Sequence, residues 1–244
     1  MKKALLTSLV FWLLAPIASL CQRAPVSTGA AQHAAACGKE RWAVKTLTDP
    51  AGETVAATSP TLGTVAELAA IGAPTRKELL AATARRFPQE KIVYRVSALV
   101  IGSKQEVGTK KKPGDQDFHI VVADPSDVSI TMIAEIPKGS CVAASRADFF
   151  DTLRQEFETT FEKPAAGKLR KLAQPVAACV TGVGFFDLPH NDERSCLPGE
   201  QPTKKNKKGK MVCTGQDGVA PNGFELHPVL SIVKGACAPG APPR

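Results

Sequence analysis

The sequence predicts a mainly β fold with α content, of the α+β class: a five-stranded Greek-key barrel with one helix between strands three and four. Two observations carry this prediction. Residues 90–234 show three strands, one helix and two strands in that order, and Gly102, Gly182 and Gly184 stand where barrel strands must bend. A generic α+β sandwich is the alternative. The hydrophobic content of 43% excludes a disordered chain, and seven Cys in 244 residues are too few for a scaffold held by disulfides alone.

The individual elements follow from local sequence patterns. Residues 91–102, rich in Val and Ile, are predicted as the first strand, and residues 117–123 and 129–136 as the second and third. Residues 147–161 predict an amphipathic helix, because Phe residues and Leu153 recur at three- and four-residue steps. Residues 176–186 and 224–233 supply the last two strands, separated by a long polar loop at 187–222. This is the element order of the OB-fold, so residues 90–234 are predicted to form an OB-fold-like domain.

The N-terminal part predicts export. Residues 1–20 are typical of a signal peptide, since Lys2 and Lys3 precede an apolar run too short to span a membrane. We therefore expect a secreted or periplasmic protein without a transmembrane segment in the mature chain. Lipoprotein anchoring at Cys21 is the alternative to ordinary cleavage.

The remaining segments flank the predicted barrel. Residues 21–36 are predicted as a flexible leader, residues 37–89 as a lead-in packed on the barrel, and residues 235–244 as a loose tail. Within the lead-in, residues 40–48 are predicted to be extended. Helices are predicted at 65–71 and 76–86, each behind a capping box begun by Thr64 or Thr75. Trp42 is predicted to cover the barrel as part of a structural brace.

An exported protein meets an oxidising environment, in which its cysteines can form disulfides. With Cys21 set aside, six remain, which allows up to three disulfides whose connectivity the sequence does not fix. Cys196 and Cys213 flank one lysine-rich loop and are the first candidates for a pair; free buried cysteines are the alternative. The cysteines have no spacing typical of a zinc site.

The net charge of +8 is concentrated in two lysine clusters, which the predicted topology places in the loops that join strands one and two and strands four and five. Their members are Lys110, Lys111, Lys112, Lys204, Lys205, Lys207, Lys208 and Lys210. In OB-folds these loops border the binding face, so we expect a groove that binds nucleic acid or an acidic polysaccharide without a cofactor. Lysines that are merely solvated are the alternative. Tyr94, Phe118 and Phe224 are the only rings available for base stacking, and we expect them in the core.

Strand alternation also groups carboxylates and imidazoles near strand ends. Asp117 and His119 share one face of strand two, and Glu225 and His227 share one face of strand five. Glu135 ends strand three, and Asp187 and His190 follow strand four. If these side chains converge, a metal-dependent phosphodiesterase or nuclease that requires a divalent metal becomes the alternative function.

Two further interpretations compete with catalysis. The polar side chains can serve as structural pins, with Glu225 and His227 paired to Arg41 or Arg95. The whole chain can also be a structural envelope protein with no small ligand. A nucleophile elbow, a phosphate loop and a dinucleotide fingerprint are all absent from the sequence.

Five motifs together resemble a family of secreted, mostly bacterial proteins that has no established activity. They are CGKERWAVKT at 37–46, DQDFHIVVAD at 115–124, MIAEIP at 132–137 with Cys141, VTGVGFFD at 180–187 with His190, and GVAPNGFELHPV at 218–229. The resemblance covers residues 37–233 and implies a shared fold without a settled reaction. The sequence departs from the family between His190 and Gly218, where a lysine-rich insertion with Cys196 and Cys213 replaces a short turn.

Overall fold

The computed structural model describes residues 37–38, 40–85, 87–108, 114–188, 193–194, 204–209, 211–214, 220 and 222–238. Its main features are a seven-stranded sheet, one long helix and a lead-in of short elements. The predicted α+β class is confirmed. The predicted signal peptide, the leader and Cys21 lie outside the described residues.

The lead-in is built of short elements. They are α1 (Trp42–Lys45), α2 (Gly52–Ala56), β1 (Thr61–Thr64), α3 (Val65–Ala69), α4 (Arg76–Ala81) and a 3-10 turn (Pro88–Lys91). Both predicted capping boxes are present. The Thr64 and Thr75 hydroxyls accept hydrogen bonds from the backbone N–H groups of Glu67 and Glu78, whose carboxylates accept from the N–H groups of the two threonines. These bonds satisfy N–H groups that would have no partner at the start of a helix.

Long strands and the main helix follow. They are β2 (Val93–Gln105), β3 (Phe118–Ala123), β4 (Thr131–Ile136), a 3-10 turn (Gly139–Cys141), α5 (Ala144–Phe161), β5 (Ala165–Ala166), β6 (Arg170–Phe186) and β10 (Phe224–Lys234). Between β6 and β10, the short strands β7 (Glu193–Arg194), β8 (Lys204–Lys205) and β9 (Met211–Thr214) form a separate three-stranded sheet.

The strand pairings of the main sheet form a cycle that begins and ends at β2. β2 pairs antiparallel with β3, and β3 pairs antiparallel with β4. β4 pairs parallel with β10, which pairs antiparallel with β6, and β6 pairs antiparallel with β2. β1 and β5 add parallel pairings to β2. Gly184 allows a close approach on β6, because a Cβ there would clash with the Gln89 carbonyl and the Phe224 ring.

One face of these strands and one face of α5 form the main hydrophobic core. Phe150, Phe157 and Phe161 of α5 are fully buried against alternate residues of β3, β4 and β10, such as Ile120 and Leu226. Burial of each such side chain stabilises the fold by about 1.5–3 kcal/mol. Alternation then places the intervening residues of these strands on the opposite face.

Two predictions about the lead-in are wrong. Residues 40–48 are not extended, because Arg41 and Leu47 have positive φ angles of 44° and 57° on either side of α1. The helix predicted at 76–86 ends at Ala81, because Ala82 adopts an extended conformation and Arg85 turns back to bind Asp49. The lead-in also contributes β1, which the sequence pattern did not reveal.

The loop at 187–222 and the tail also differ from expectation. The loop contains the strands β7, β8 and β9 rather than irregular chain alone. The tail is anchored at Cys237, which is bonded to Cys179 and whose N–H donates to the Ser97 hydroxyl at 3.0 Å. A wholly loose tail is therefore a wrong prediction.

Two disulfides join distant parts of the described chain, Cys37–Cys141 and Cys179–Cys237. Cys196 lies outside the described residues, so its predicted pairing with Cys213 stays a prediction. Among the described residues, no helix is long and apolar enough to cross a bilayer.

Candidate functional site

The strand registers bring the predicted carboxylates and imidazoles together. His119 of β3 stands opposite Glu135 of β4. Glu225 of β10 stands beside Ile133 of β4, so the next residue on that face, His227, comes beside Glu135. Asp117 immediately precedes β3 on the face of His119. We call these five residues, on the face opposite the main core, the carboxylate–histidine cluster.

Glu135 lies at the centre of the carboxylate–histidine cluster. Its Oε1 atom is 2.8 Å from His119 Nδ1, and its Oε2 atom is 3.0 Å from His227 Nδ1. His227 Nδ1 is also 3.2 Å from Glu225 Oε1, and His227 Nε2 is 3.2 Å from Asp117 Oδ2. The convergence that the sequence left open is therefore found in the structure.

The lead-in covers this cluster. Phe185 of β6 packs its ring 5.7 Å from the His227 ring, and the Arg41 guanidinium lies 4.3 Å from the Phe185 centroid. The Lys45 ammonium lies 5.2 Å from the same centroid. Asp117 and His227 are consequently 0% exposed, although they stand on the sheet face that points away from the main core.

Several buried polar atoms of the cluster have no hydrogen-bond partner in the part of the chain that the structure describes. They are both carboxylate oxygens of Asp117, Nε2 of His119 and Nε2 of His227. The short contact between His227 Nε2 and Asp117 Oδ2 does not have hydrogen-bond geometry. A buried polar group left without a partner costs about 1–3 kcal/mol, so these atoms point to a ligand that would satisfy them.

The environment shifts the pKa values of the carboxyl groups in opposite directions. Burial raises the pKa of Asp117 to about 7. Burial, aided by the charges of Glu135 and Asp187, raises the pKa of Glu225 well above its ordinary value. Burial also acts to raise the pKa of Glu135, but hydrogen bonds from His119 and His227 outweigh it and hold that pKa well below its usual range. Glu135 is therefore ionised at neutral pH, whereas Glu225 holds its proton to a higher pH than an ordinary glutamic acid.

The imidazole of His227 is held in its charged form. Burial alone would lower its pKa, but contacts with Asp117, Glu135 and Glu225 outweigh burial and raise the pKa well above the ordinary value. The imidazolium and the raised pKa values of Asp117 and Glu225 thus reduce the net negative charge of the buried groups. A divalent cation would supply the same compensation in place of protons.

A rim of further charged residues borders the cluster. Lys45 Nζ lies 3.4 Å from Asp187 Oδ2 and 3.4 Å from Asp115 Oδ2. Burial acts to lower the pKa of Lys45, but the surrounding carboxylates, Asp187 first, raise it well above the usual value. Burial and the charge of Asp187 raise the pKa of Glu40 to about 7. Glu106 lies 3.5 Å from His119 Nδ1 and has a side chain that is 31% exposed.

Sequence reasoning singled out Asp187 but missed other residues of this rim. Asp115 stands two residues before Asp117, so strand alternation could have grouped the two. Lys45 and Glu40 lie in the lead-in, which gives no sequence signal of where it docks. Glu106 follows β2, which extends to Gln105 rather than ending at the predicted position 102.

The lead-in has its own buried ion pairs. Arg41 donates to Glu90 Oε1 at 2.6 Å and to the Phe186 carbonyl, so its predicted pairing with Glu225 and His227 is wrong. Arg95 Nε instead lies 3.3 Å from Cys179 Sγ. Trp42 is buried on the Cys37–Cys141 disulfide and donates to the Cys141 carbonyl at 2.8 Å, as expected of a brace.

Two overlapping sets of side chains have the spacing of metal ligands. Asp117, Glu135 and His227 form the inner set, and Glu106, His119 and Glu135 form the outer set. In each set, one ligand atom from every residue lies within 4.8 Å of the others. That spacing suits ligand atoms about 2.0–2.3 Å from a shared ion.

The lysine clusters are described only in part. Lys204 and Lys205 form β8, and Lys205, Lys207 and Lys208 are exposed. Lys110, Lys111, Lys112, Lys210 and His190 lie outside the described residues. Tyr94, Phe118 and Phe224 are buried in the core and offer no stacking surface, as expected.

Comparison with known proteins adds no relative: the chain matches no family model, no curated protein and no solved structure.

Proposed function

We propose that this protein is an exported binding protein built on an OB-fold-like barrel, and that it binds a divalent metal ion. The cycle of strand pairings supports the barrel, and α5 lies between β4 and β6 in the chain, where an OB-fold carries its helix. Export is supported by the two disulfides and by the resemblance to secreted proteins.

The carboxylate of Asp117 is the observation that carries the metal proposal. It is 0% exposed, both of its oxygens lack hydrogen-bond partners among the described residues, and it stands beside His227 and Glu135. Two carboxylates and one imidazole suit ions such as Zn²⁺ and Mn²⁺. Glu225 would act from outside the ligand set by orienting the His227 ring.

Metal binding is tested by calorimetric titration of chelator-stripped protein with Zn²⁺ and with Mn²⁺. Asp117→Asn should weaken binding at the inner set at least about 100-fold, since loss even of a group behind a ligand costs 10- to 100-fold. Asp127→Asn makes the same chemical change in the turn after β3 and should leave binding unchanged. Equal affinities for wild type and Asp117→Asn would reject the inner set as a metal site.

The lysine hairpin at β8 and β9 favours a second candidate function, the binding of a polyanion. Lys205, Lys207 and Lys208 are exposed on this hairpin, which is not part of the main sheet that carries the carboxylate–histidine cluster. The cluster itself is acidic and buried under the lead-in, and both properties disfavour the binding of a polyanion on that sheet face. We therefore assign polyanion binding to the hairpin alone.

Retention on heparin tests the hairpin. A variant with Gln at the five lysines of the 204–210 cluster should elute at lower salt, because it offers fewer cations to pair with the anionic groups of heparin. The matched control places Gln at five scattered exposed lysines, Lys77, Lys163, Lys168, Lys171 and Lys234. Equal losses in the two variants would mean that net charge, rather than the hairpin, is responsible.

A metal-dependent phosphodiesterase built from Asp117, His119, Glu135, Glu225 and His227 is the third candidate. The convergence of these residues supports it, whereas the burial of Asp117 and His227 keeps a polymeric substrate from them. Plasmid DNA left intact with Mg²⁺, Mn²⁺ and Zn²⁺ would argue against this activity. A protein that fails the metal, heparin and cleavage assays together would fit a structural envelope role.

A further inference from the structure

We infer that the carboxylate–histidine cluster holds two divalent metal ions bridged by the Glu135 carboxylate. This inference rests on the proposed function, because it takes the inner set as the first position and adds the outer set as the second. It predicts a dinuclear centre with one buried ion and one ion close to solvent.

The bridge follows from the orientation of the Glu135 carboxylate. Oε1 is directed at His119 Nδ1 and Oε2 at His227 Nδ1, at 2.8 and 3.0 Å. The two oxygens of this carboxylate therefore contact two different imidazoles, one on β3 and one on β10. A carboxylate that places one oxygen in each of two ligand sets is suited to bind one ion through each oxygen, and paired metal sites commonly hold ions about 3.5–4 Å apart.

The outer set contains the groups that a second ion needs. Glu106 Oε1 lies 3.5 Å from His119 Nδ1, beside Glu135 Oε1. His119 is 2% exposed, and its Nδ1 atom faces both Glu135 Oε1 and Glu106 Oε1. A buried imidazole nitrogen that faces two carboxylate oxygens is suited to share an ion with them.

The two positions differ in their access to solvent. The inner set is fully buried, whereas the Glu106 side chain is 31% exposed. Lys104 Nζ lies 3.2 Å from Glu106 Oε1 and competes with a cation for that carboxylate. Because the lysine stem is flexible, the ammonium can move away when an ion binds. The outer ion should therefore bind more weakly and exchange faster than the inner ion.

The number of Mn²⁺ ions bound per chain tests this inference. Calorimetry and equilibrium dialysis of stripped protein should give two ions for wild type, one for Glu106→Gln and one for Asp117→Asn. The exposed helix substitution Glu156→Gln is the matched control and should retain two. Lys104→Met should tighten the weaker site, because it removes the competing ammonium. Electron paramagnetic resonance should show coupled Mn²⁺ ions in wild type and isolated Mn²⁺ in both single-site variants.

The number of ions that wild type binds distinguishes failure of the proposed metal function from failure of the second ion position alone. Wild type that binds no ion overturns the proposed metal function and the dinuclear centre together. Wild type that binds one ion, unaffected by Glu106→Gln, overturns only the second position. Thermal unfolding of each variant in chelator establishes that it folds, so that a lost ion is attributable to a lost ligand.

Discussion

Removal of the Cys37–Cys141 disulfide should destabilise the protein and loosen the cover of the proposed metal site. The bond closes a loop with a sequence separation of 104, whereas Cys179–Cys237 closes one of 58. On the loop-entropy model these bonds stabilise the folded state by about 4.7 and about 4.2 kcal/mol at 25 °C. The two loops do not overlap in the sequence, so their contributions should add.

The two bonds therefore provide a matched comparison. Urea unfolding should show that the Cys37→Ala/Cys141→Ala and Cys179→Ala/Cys237→Ala variants lose stability to within about 0.5 kcal/mol of each other. Of these two bonds, only the first fastens the helix that carries Trp42 and Lys45, and Lys45 lies over the Phe185 ring beside the cluster. The rate at which a chelator removes Mn²⁺ should therefore rise in the first variant and stay unchanged in the second.

Two results would refute this reasoning. Stability losses that differ by several kcal/mol would show that loop closure does not dominate the effect of these bonds. Equal chelation rates in the two variants would show that the attachment of the lead-in does not control access to the cluster. The rate measured in each variant should be compared well below its unfolding transition, so that global unfolding does not supply the route for the ion.

Further predictions concern pH, a buried ion pair and the core. Burial raises the pKa of Asp117 above its unfolded value, so the folded state retains the proton to a higher pH than the unfolded state. The free energy of unfolding of metal-free protein should therefore fall by about 2 kcal/mol between pH 5 and 7 because of this group. Urea unfolding in chelator should show a smaller fall for Asp117→Asn, and an unchanged fall would contradict this assignment. Arg41→Met leaves Glu90 charged and buried and should cost about 3–5 kcal/mol, whereas a smaller loss in Arg41→Met/Glu90→Gln would confirm the coupling by a double-mutant cycle. Phe157→Ala should cost about 3–5 kcal/mol without changing Mn²⁺ affinity measured by calorimetry; an altered affinity would mean that the core and the metal site are coupled.

The strands and one half of the site were predictable because they depend on local pattern. Alternation alone placed Asp117 with His119 and Glu225 with His227, and the structure confirms that each pair shares a face. The spacing of the phenylalanines likewise predicted α5, which begins three residues earlier than expected, at Ala144. These features need only the period of a strand or a helix.

The other half of the site depends on contacts between distant segments. Lys45 joins Asp187 across a sequence separation of 142, and no local pattern indicates that docking. The same holds for the Cys37–Cys141 and Cys179–Cys237 pairs, since a sequence does not fix disulfide connectivity. The lead-in was also misjudged, because two left-handed residues turn an apparently extended segment into α1.

The carboxylate–histidine cluster and its rim together combine residues from both ends of the described chain. Lys45 comes from its first helix, while Glu225 and His227 come from its last strand, which pairs with β4 and β6. Contacts of such long sequence separation form only after the costly closure of large loops. A nascent chain that lacks β10 has only part of the ligand set. Loading of the proposed inner ion therefore requires the completed polypeptide, because a chain truncated before residue 224 would lack His227 as well as its last strand, whereas the outer set of Glu106, His119 and Glu135 would be complete.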